Sequence, residues 1–372
     1  MITVKEVRSK KDLETFVKFP FSLYKTSDKW VPPLIQEELS TLDAAKNPIY
    51  REAESRLFLA YRDQKVAGRI AAIINHTEVD QLGKKKLRFG WFESINDKEV
   101  AEELFRHAMN FGKEKGLSYI EGPSGFSNMD KAGMLIEGFD RIGSMSTHYN
   151  FSYYPELMEK LGFEKEVDWK EYQIPVPEEV PEKVRTFSKL IQKKFGLKLQ
   201  KFKSTKELLP WSEAIFELMN LSYGQLESFT PIKPYMVEHY KKKFLKFLDP
   251  DFVALITDQN DNLLGFSVVM PSFSKALQKA NGKLFPFGFY HLWKAQKKND
   301  KGTLLLIGIH PEWMRKGLTA LIFEEVTDTF LRRGIKYVET NPELETNIQV
   351  QALWKEYGPE LIKKWRTYKK EL

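Results

Sequence analysis

GIHPEWMRKGLTALIFEEV, residues 308–326, is an apolar strand end running through a basic, glycine-bearing turn into an amphipathic helix. Leu304, Leu305, Leu306, Ile307 and Ile309 form the continuous apolar run that a buried strand needs, and Pro311 keeps that strand from continuing. After the turn, Leu318, Leu321, Ile322, Val326 and Phe330 recur at helical spacing until Gly334 supplies a stop. Gly317 therefore stands at the mouth of a helix, behind Arg315 and Lys316. The first N–H groups of a helix have no intrahelical partner, and the helix dipole places partial positive charge there. The main chain from Arg315 to Thr319 is thus expected to cradle an anion such as a pyrophosphate, with Gly317 allowing close approach.

Upstream, residues 252–256 and 263–270 flank the turn DQNDN and read as a two-stranded hairpin. Downstream, residues 335–340 read as another strand, and in NPELETNIQVQALWKEYG Asn347 precedes a helix that ends near Gly358. This order, with the basic turn at its centre, resembles the acyl-CoA-binding unit of the GNAT superfamily of N-acyltransferases, over residues from about 185 to 372. The superfamily's loop pattern is Gln or Arg, two variable residues, Gly, one variable residue, then Gly or Ala. Here Met314 stands at the first of these positions and Thr319 at the last, while Arg315 and Lys316 keep the loop basic. The resemblance implies acetyl-CoA or another acyl-CoA as cofactor, contacted by Ile309, Arg315, Lys316, Gly317, Leu318, Thr319 and Asn347.

The chain has 372 residues, which favours two domains, and its apolar fraction of 42% is ample for packed cores. It contains no cysteine, so disulfides, thiolate metal sites and a cysteine nucleophile are excluded. Its six histidines are dispersed without metal-ligand spacing, so no metal is expected. No signal-peptide core or membrane-span run is seen, and a cytoplasmic protein is the simplest expectation. Residues 174–184, IPVPEEVPEKV, interrupt both periodicities and suggest a linker over 176–184 between domains of residues 1–175 and 185–372. Residues 1–180 carry 26 Lys and Arg against 30 Asp and Glu, whereas residues 181–372 carry 32 against 21. A basic second half suits a phosphorylated cofactor, and no nucleic-acid module signature accompanies it. HYKKKFLKFL and WKAQKKNDK read as solvated helix faces.

The first half repeats the second more loosely. Residues 57–61 and 66–75 read as a strand pair, 87–93 as a third strand, 98–115 as a helix and 117–121 as a strand. YYPELMEKLGF resembles the element that closes many GNAT domains, and tandem duplication accounts for the repetition. Through NPIYREAESRLFLA, VAGRIAA, GFSNMDKAGMLIEGFD and YNFSYYPELMEKLGF in the first half, and NPELETN and IKKWRTYKKEL in the second, most of the chain resembles a bacterial tandem-GNAT family. The expected fold is therefore α/β (α+β), with two tandem GNAT-like domains, each a mixed, mainly antiparallel sheet flanked by helices. At the first strand-to-helix junction, WFESINDKEV, Glu93, Asp97 and Glu99 replace the basic loop, so acyl-CoA is assigned to the second domain only. The polar, glycine-rich segment 122–140 and the following Tyr149, Asn150 and Tyr153 suit a small polar substrate at a domain junction, or else a well-packed connection.

The implied reaction is transfer of an acetyl or longer acyl group to a small-molecule primary amine. Such chemistry needs a base for the ammonium, a donor to the carbonyl and an acid for the thiolate. The superfamily often uses a tyrosine as the acid, but Trp354 occupies the aligned position, leaving Tyr357 three residues on as a replacement. Glu345 and His310 are the candidate bases, against helix-capping and structural roles. Two alternatives stay open: a catalytically inactive GNAT-fold binding or regulatory module, and an aminoacyl or long-chain acyl transferase. The insertion between Pro271 and Gly302, with its aromatic FPFGFYHLW, is expected to pack between domains, with a lid or a membrane-surface helix as alternatives.

Overall fold

In the computed structural model, which describes residues 1–224, 229–244 and 248–372, the apolar runs become strands of one continuous sheet. The first half contains β1 (Ile2–Glu6), α1 (Lys10–Leu23), α2 (Ile35–Leu42), β2 (Ala53–Arg62), β3 (Lys65–Asn75), β4 (Lys86–Ser94), α3 (Lys98–Glu114), β5 (Tyr119–Gly122), β6 (Met134–Glu137), α4 (Tyr153–Lys160) and β7 (Glu164–Pro175). The second contains α5 (Glu182–Phe195), β8 (Lys198–Gln200), α6 (Thr205–Leu208), α7 (Ser212–Tyr223), α8 (Pro234–Phe244), β9 (Val253–Thr257), β10 (Leu263–Pro271), α9 (Ser274–Ala280), α10 (Gly288–Lys297) and β11 (Lys301–Ile309). It ends with α11 (Leu318–Arg333), β12 (Tyr337–Glu339), β13 (Glu343–Leu344), α12 (Ile348–Trp354) and β14 (Glu360–Glu371). Of the basic stretch HYKKKFLKFL, residues 245–247 lie outside the described residues.

The strands lie in the order β1-β2-β3-β4-β5-β14-β7-β12-β11-β10-β9-β8, with β6 beside β14 and β13 beside β7. Pairing is antiparallel except at β4–β5 and β11–β12, where α3 and α11 provide the long crossovers that parallel neighbours require. Both parallel pairs are short. Lys86–Arg88 pair with Tyr119–Glu121, and Lys301–Thr303 pair with Tyr337–Glu339. Strands β4 and β11 then run on through residues 89–94 and 304–309 after their partners have ended, so the sheet opens into a V at two places.

The closing strands are exchanged between the halves. The last strand of the chain, β14, lies against β5 of the first half, whereas β7 of the first half lies against β12 of the second. β7 and β14 also pair with each other at the centre of the sheet, from Glu360 opposite Gln173 to Lys369 opposite Glu164. Within that pairing Lys363 bonds Glu171 at 3.0 Å, both side chains being 1% exposed. Burial is the main force raising the Glu171 carboxyl to about 7, partly offset by Lys363.

One core cluster packs α3 and α4 on the first half, and another packs α11 against β10 and β12 of the second. A third joins Leu59 and Ile73 of the first half to Met219, Leu255 and Phe266 of the second, so the halves share an interior. Among the described residues, no helix is long and apolar enough to cross a membrane.

Removing one partner of a buried ion pair leaves an uncompensated charge, at a cost of about 3–5 kcal/mol. Lys363→Met is therefore expected to lower unfolding stability by about that amount at pH 8. The loss should shrink at pH 5, where the Glu171 carboxyl is neutral. Urea titrations at the two pH values check this, and an equal loss at both would refute it.

Candidate active site

The second V opens on a cleft of about 340 Å³. Its walls are Leu304–Ile307 of β11, Ile322, Phe323 and Val326 of α11, and Asn347, Val350 and Trp354 at the start and end of α12. Directly after β11, Arg315 and Gly317 take left-handed φ values of 66° and 88° and turn the chain into α11. The N–H groups of Arg315, Gly317, Leu318 and Thr319 have no hydrogen-bond partner among the described residues, and Arg315 and Lys316 are exposed. This is the combination of free N–H donors and positive charge that holds a phosphate. None of Ile309 or residues 315–319 lines the cleft itself, whereas Asn347 does, while its side chain caps α12 by accepting from Val350 N–H at 3.3 Å.

The close approach that Gly317 permits differs from the one expected. A Cβ there would lie 2.9 Å from Phe187 and 3.1 Å from Ile191, both on α5. The glycine is thus required by its positive φ and by helix packing behind the loop.

The three candidate catalytic residues fall in different surroundings. His310 begins the turn after β11, its Nδ1 accepting from Glu312 N–H at 3.3 Å, and it lines neither apolar cavity. Glu345 pairs with Lys165 at 2.5 Å and also stays outside both. Tyr357 lines the cleft, edge-on to Phe323. Sequence reasoning passed over a fourth group. Glu343 lines the cleft, accepts the Trp354 indole N–H on Oε1 at 2.6 Å and has no partner for Oε2. Burial raises its carboxyl to about 7, against the opposing effect of the indole. Trp354, at the position where the superfamily often places a tyrosine, therefore holds a carboxyl poised near neutrality. That indole, reaching eleven positions back along a looped chain, was the one available signal.

Across the sheet lies a larger cavity of about 420 Å³ between the halves. Asn128, Met129, Met219, Leu305, Leu306 and Asn341 line both spaces, so they meet at the V. Its wall is mainly apolar, including Val31, Leu34, Phe216, Val268 and Phe273, with Glu38, Arg69, Asp130, Lys131 and His148 among the polar groups. Burial, followed by the nearby Lys131 and Arg69, lowers His148 to about 3, so its imidazole is neutral at physiological pH. Burial lowers Lys131 as well. Of the three proposed substrate contacts, Tyr149 lines this cavity. Asn150 does not, its amide being bonded to the backbone N–H and C=O of Leu135. Tyr153 points into the first-half core and donates to Ser94 C=O at 2.6 Å.

No protein-family profile matches the sequence. The chain is 28% identical to Protein YghO of Escherichia coli K12 over 99% of its own length and 95% of that protein. It is 25% identical to a bacterial ceramide synthase of Caulobacter vibrioides, over 100% of this chain and 98% of that one. A tandem GNAT protein from the clavulanic acid biosynthesis pathway superimposes with a TM-score of 0.59 at 12% identity, covering 100% of this chain and 98% of that chain. A GCN5-related N-acetyltransferase from Sphaerobacter thermophilus gives a TM-score of 0.55 at 14% identity, covering 100% and 95% respectively. The chain has the tandem GNAT fold.

Within this tandem GNAT fold the two Vs are built differently. In the first, Asp97 places its own carboxylate at the N-terminus of α3, accepting from the N–H groups of Glu99 and Val100. The Tyr154 hydroxyl accepts from Ser94 N–H at 2.9 Å and bonds Glu93 at 2.8 Å. Tyr24 also donates to Glu93, whose carboxyl is raised by burial against the opposing pull of Arg69. Side chains thus fill the space and the helix end that remain open in the second half.

The aromatic insertion also departs from expectation. Phe273, Leu277 and Leu292 face the large cavity, but Phe285, Phe287, Phe289, Tyr290 and Trp293 are all exposed instead of packed between the halves. The helical spacing is satisfied by a few inward aliphatic side chains, which leaves the larger rings outside.

Two substitutions separate packing from anion binding at the loop. Gly317→Ala is expected to destabilise by about 1–2 kcal/mol, from left-handed backbone strain and contact with α5. Arg315→Glu with Lys316→Glu should leave the unfolding midpoint unchanged and weaken CoA binding at least about tenfold, given two charge reversals beside a phosphate. Thermal melts and calorimetric titration with CoA check both; unchanged affinity in the charge-reversed variant would remove the loop from the phosphate site.

Proposed function

We propose that this protein is an acyl-CoA-dependent N-acyltransferase that joins a long-chain acyl group to the primary amine of an apolar acceptor. The observation that carries this reading is the meeting of two apolar spaces at the V, through Leu305, Leu306 and Asn341. One space lies between β11 and α11, the helix that the basic loop opens, and suits the donor's arm, and the other lies between the halves and suits the acceptor. Similarity over the whole chain to a bacterial ceramide synthase supports an amphiphilic acceptor, since a ceramide is the amide of a long-chain amino alcohol.

Acyl-CoA would supply a thioester carbonyl, with Arg315, Lys316 and the free N–H groups up to Thr319 holding its phosphates. Glu343 is the group suited to move the proton. Burial raises its carboxyl to about 7, where the carboxylate can take one proton from an ammonium and return it to the departing thiolate. The second nitrogen proton, lost after the C–N bond forms and the C–S bond breaks, leaves to water. Trp354 fixes its orientation, and the apolar walls of the cleft exclude water from the thioester.

Incubation with acyl-CoAs of graded chain length and with either long-chain amino alcohols or small polar amines, followed by free thiol, tests the substrate class. The reading predicts turnover only when at least one partner carries a long chain. Efficient acetylation of small polar amines, with none on amphiphiles, would overturn it.

Glu343→Gln is expected to lower kcat by about 10²–10⁴-fold with little change in KM. In the native enzyme the rate should rise with pH through about 7, because the base must be ionised. The same substitution has a stability signature of defined sign. A carboxyl raised from 4.5 to about 7 on folding opposes folding once ionised, and its penalty grows as pH rises across that window. Glu343→Gln should therefore stabilise the fold by roughly 2 kcal/mol at pH 8, discounted for partial exposure, and by nothing at pH 4.

A further inference from the structure

The insertion that joins β10 to β11 carries two opposite faces on one helical hairpin. Inward, Phe273 and Leu277 at α9 and Leu292 on α10 line the interdomain cavity. Outward, Phe285 is 75% exposed, Phe287 71%, Phe289 52%, Tyr290 47% and Trp293 55%. These rings form two contacts among themselves, Phe285 with Phe289 at 5.7 Å and Tyr290 stacked on Trp293 at 6.2 Å. Water would ordinarily drive such side chains into a core, and five exposed together within residues 285–293 mark a surface that meets something apolar.

Charge narrows what that is. Lys275, Lys279, Lys283, Lys294, Lys297 and Lys298 lie on the same hairpin, and residues 272–299 contain no Asp or Glu. All six lysines are exposed, and none forms an ion pair among the described residues. A second copy of this hairpin, with its six lysines and no carboxylate, would bring like charges together, which disfavours self-association. Aromatic rings flanked by lysines match the interfacial zone of an anionic bilayer, where ring faces enter the acyl boundary and ammonium groups meet phosphate. At ten residues α10 is too short to span a membrane and suits lying in its surface.

We propose that the hairpin α9–α10 docks the protein on an anionic lipid bilayer, placing the interdomain cavity beneath the docked face so that an amphiphile passes between the bilayer and the cavity. The surface carries this inference by itself, and docking does not depend on the acyltransferase reading.

Co-sedimentation of the full chain with vesicles tests it, using equimolar phosphatidylglycerol and phosphatidylcholine against phosphatidylcholine alone. The native chain is expected to partition onto the anionic vesicles, more weakly at high salt. Phe285→Ser with Phe287→Ser and Trp293→Ser should lower that partition at least about tenfold while the thermal midpoint stays unchanged, because all three side chains are exposed. Lys279→Glu with Lys283→Glu should weaken binding to anionic vesicles and flatten its salt dependence. A readout free of any folding defect is quenching of native tryptophan fluorescence by brominated lipid, which should fall sharply in Trp293→Phe while vesicle binding persists. The proposal is overturned if the native chain ignores anionic vesicles, if the triple variant binds them equally, or if sedimentation velocity shows these rings holding a dimer. Vesicle binding without any acyl transfer would sustain this proposal and count against the function above, whereas transfer without vesicle binding would do the reverse.

Discussion

The exchange of β7 and β14 is the constraint on which the rest of the molecule depends. Each half builds strands that end in a V, and each V is bordered by a strand contributed by the other half. The nine residue pairs along β7 and β14 set how the two Vs face each other, and the Lys363–Glu171 pair at the centre resists a shift of register. A one-residue slip would turn Trp365 and Tyr368, both essentially buried, to the opposite face. The cavity between the halves is thus a product of the central pairing.

With the frame shared, the halves differ in what fills each V. Asp97, Tyr24 and Tyr154 occupy the first with carboxylate and ring, satisfying the helix end and the strand edge internally. In the second, no side chain caps α11 and the cleft beside β11 stays apolar. The first half contributes instead to the far wall of the large cavity, through Arg69, Lys131 and His148. The two halves of one fold thus differ in what they leave open, an apolar cleft in the second and part of the cavity wall in the first.

Much of this was legible in the sequence because it rests on local rules. The hairpins, the helix starting at Leu318 and its stop at Gly334, whose φ is 72°, follow from periodicity and glycine placement. The central strand was not. Residues 360–371, ELIKKWRTYKKE, are lysine-rich, and a lysine buried against a glutamate nearly two hundred residues away leaves no mark in a local pattern. The site divided in the same way. The turn before α11 could be placed from its glycine, but Glu343 escaped notice because its carboxyl is raised by burial, against the Trp354 indole, and neither the burial nor that contact is visible from spacing. Asn150 misled because a polar residue beside tyrosines looks available until its amide is found bonded to Leu135.

The central claim is that two similar halves hold one donor site. Isothermal titration of the full chain with a long-chain acyl-CoA measures it directly through the stoichiometry. The account predicts one acyl-CoA per chain, with affinity that rises with acyl length. Two equivalents per chain, or one that persists when Arg315 and Lys316 are reversed in charge, would contradict it.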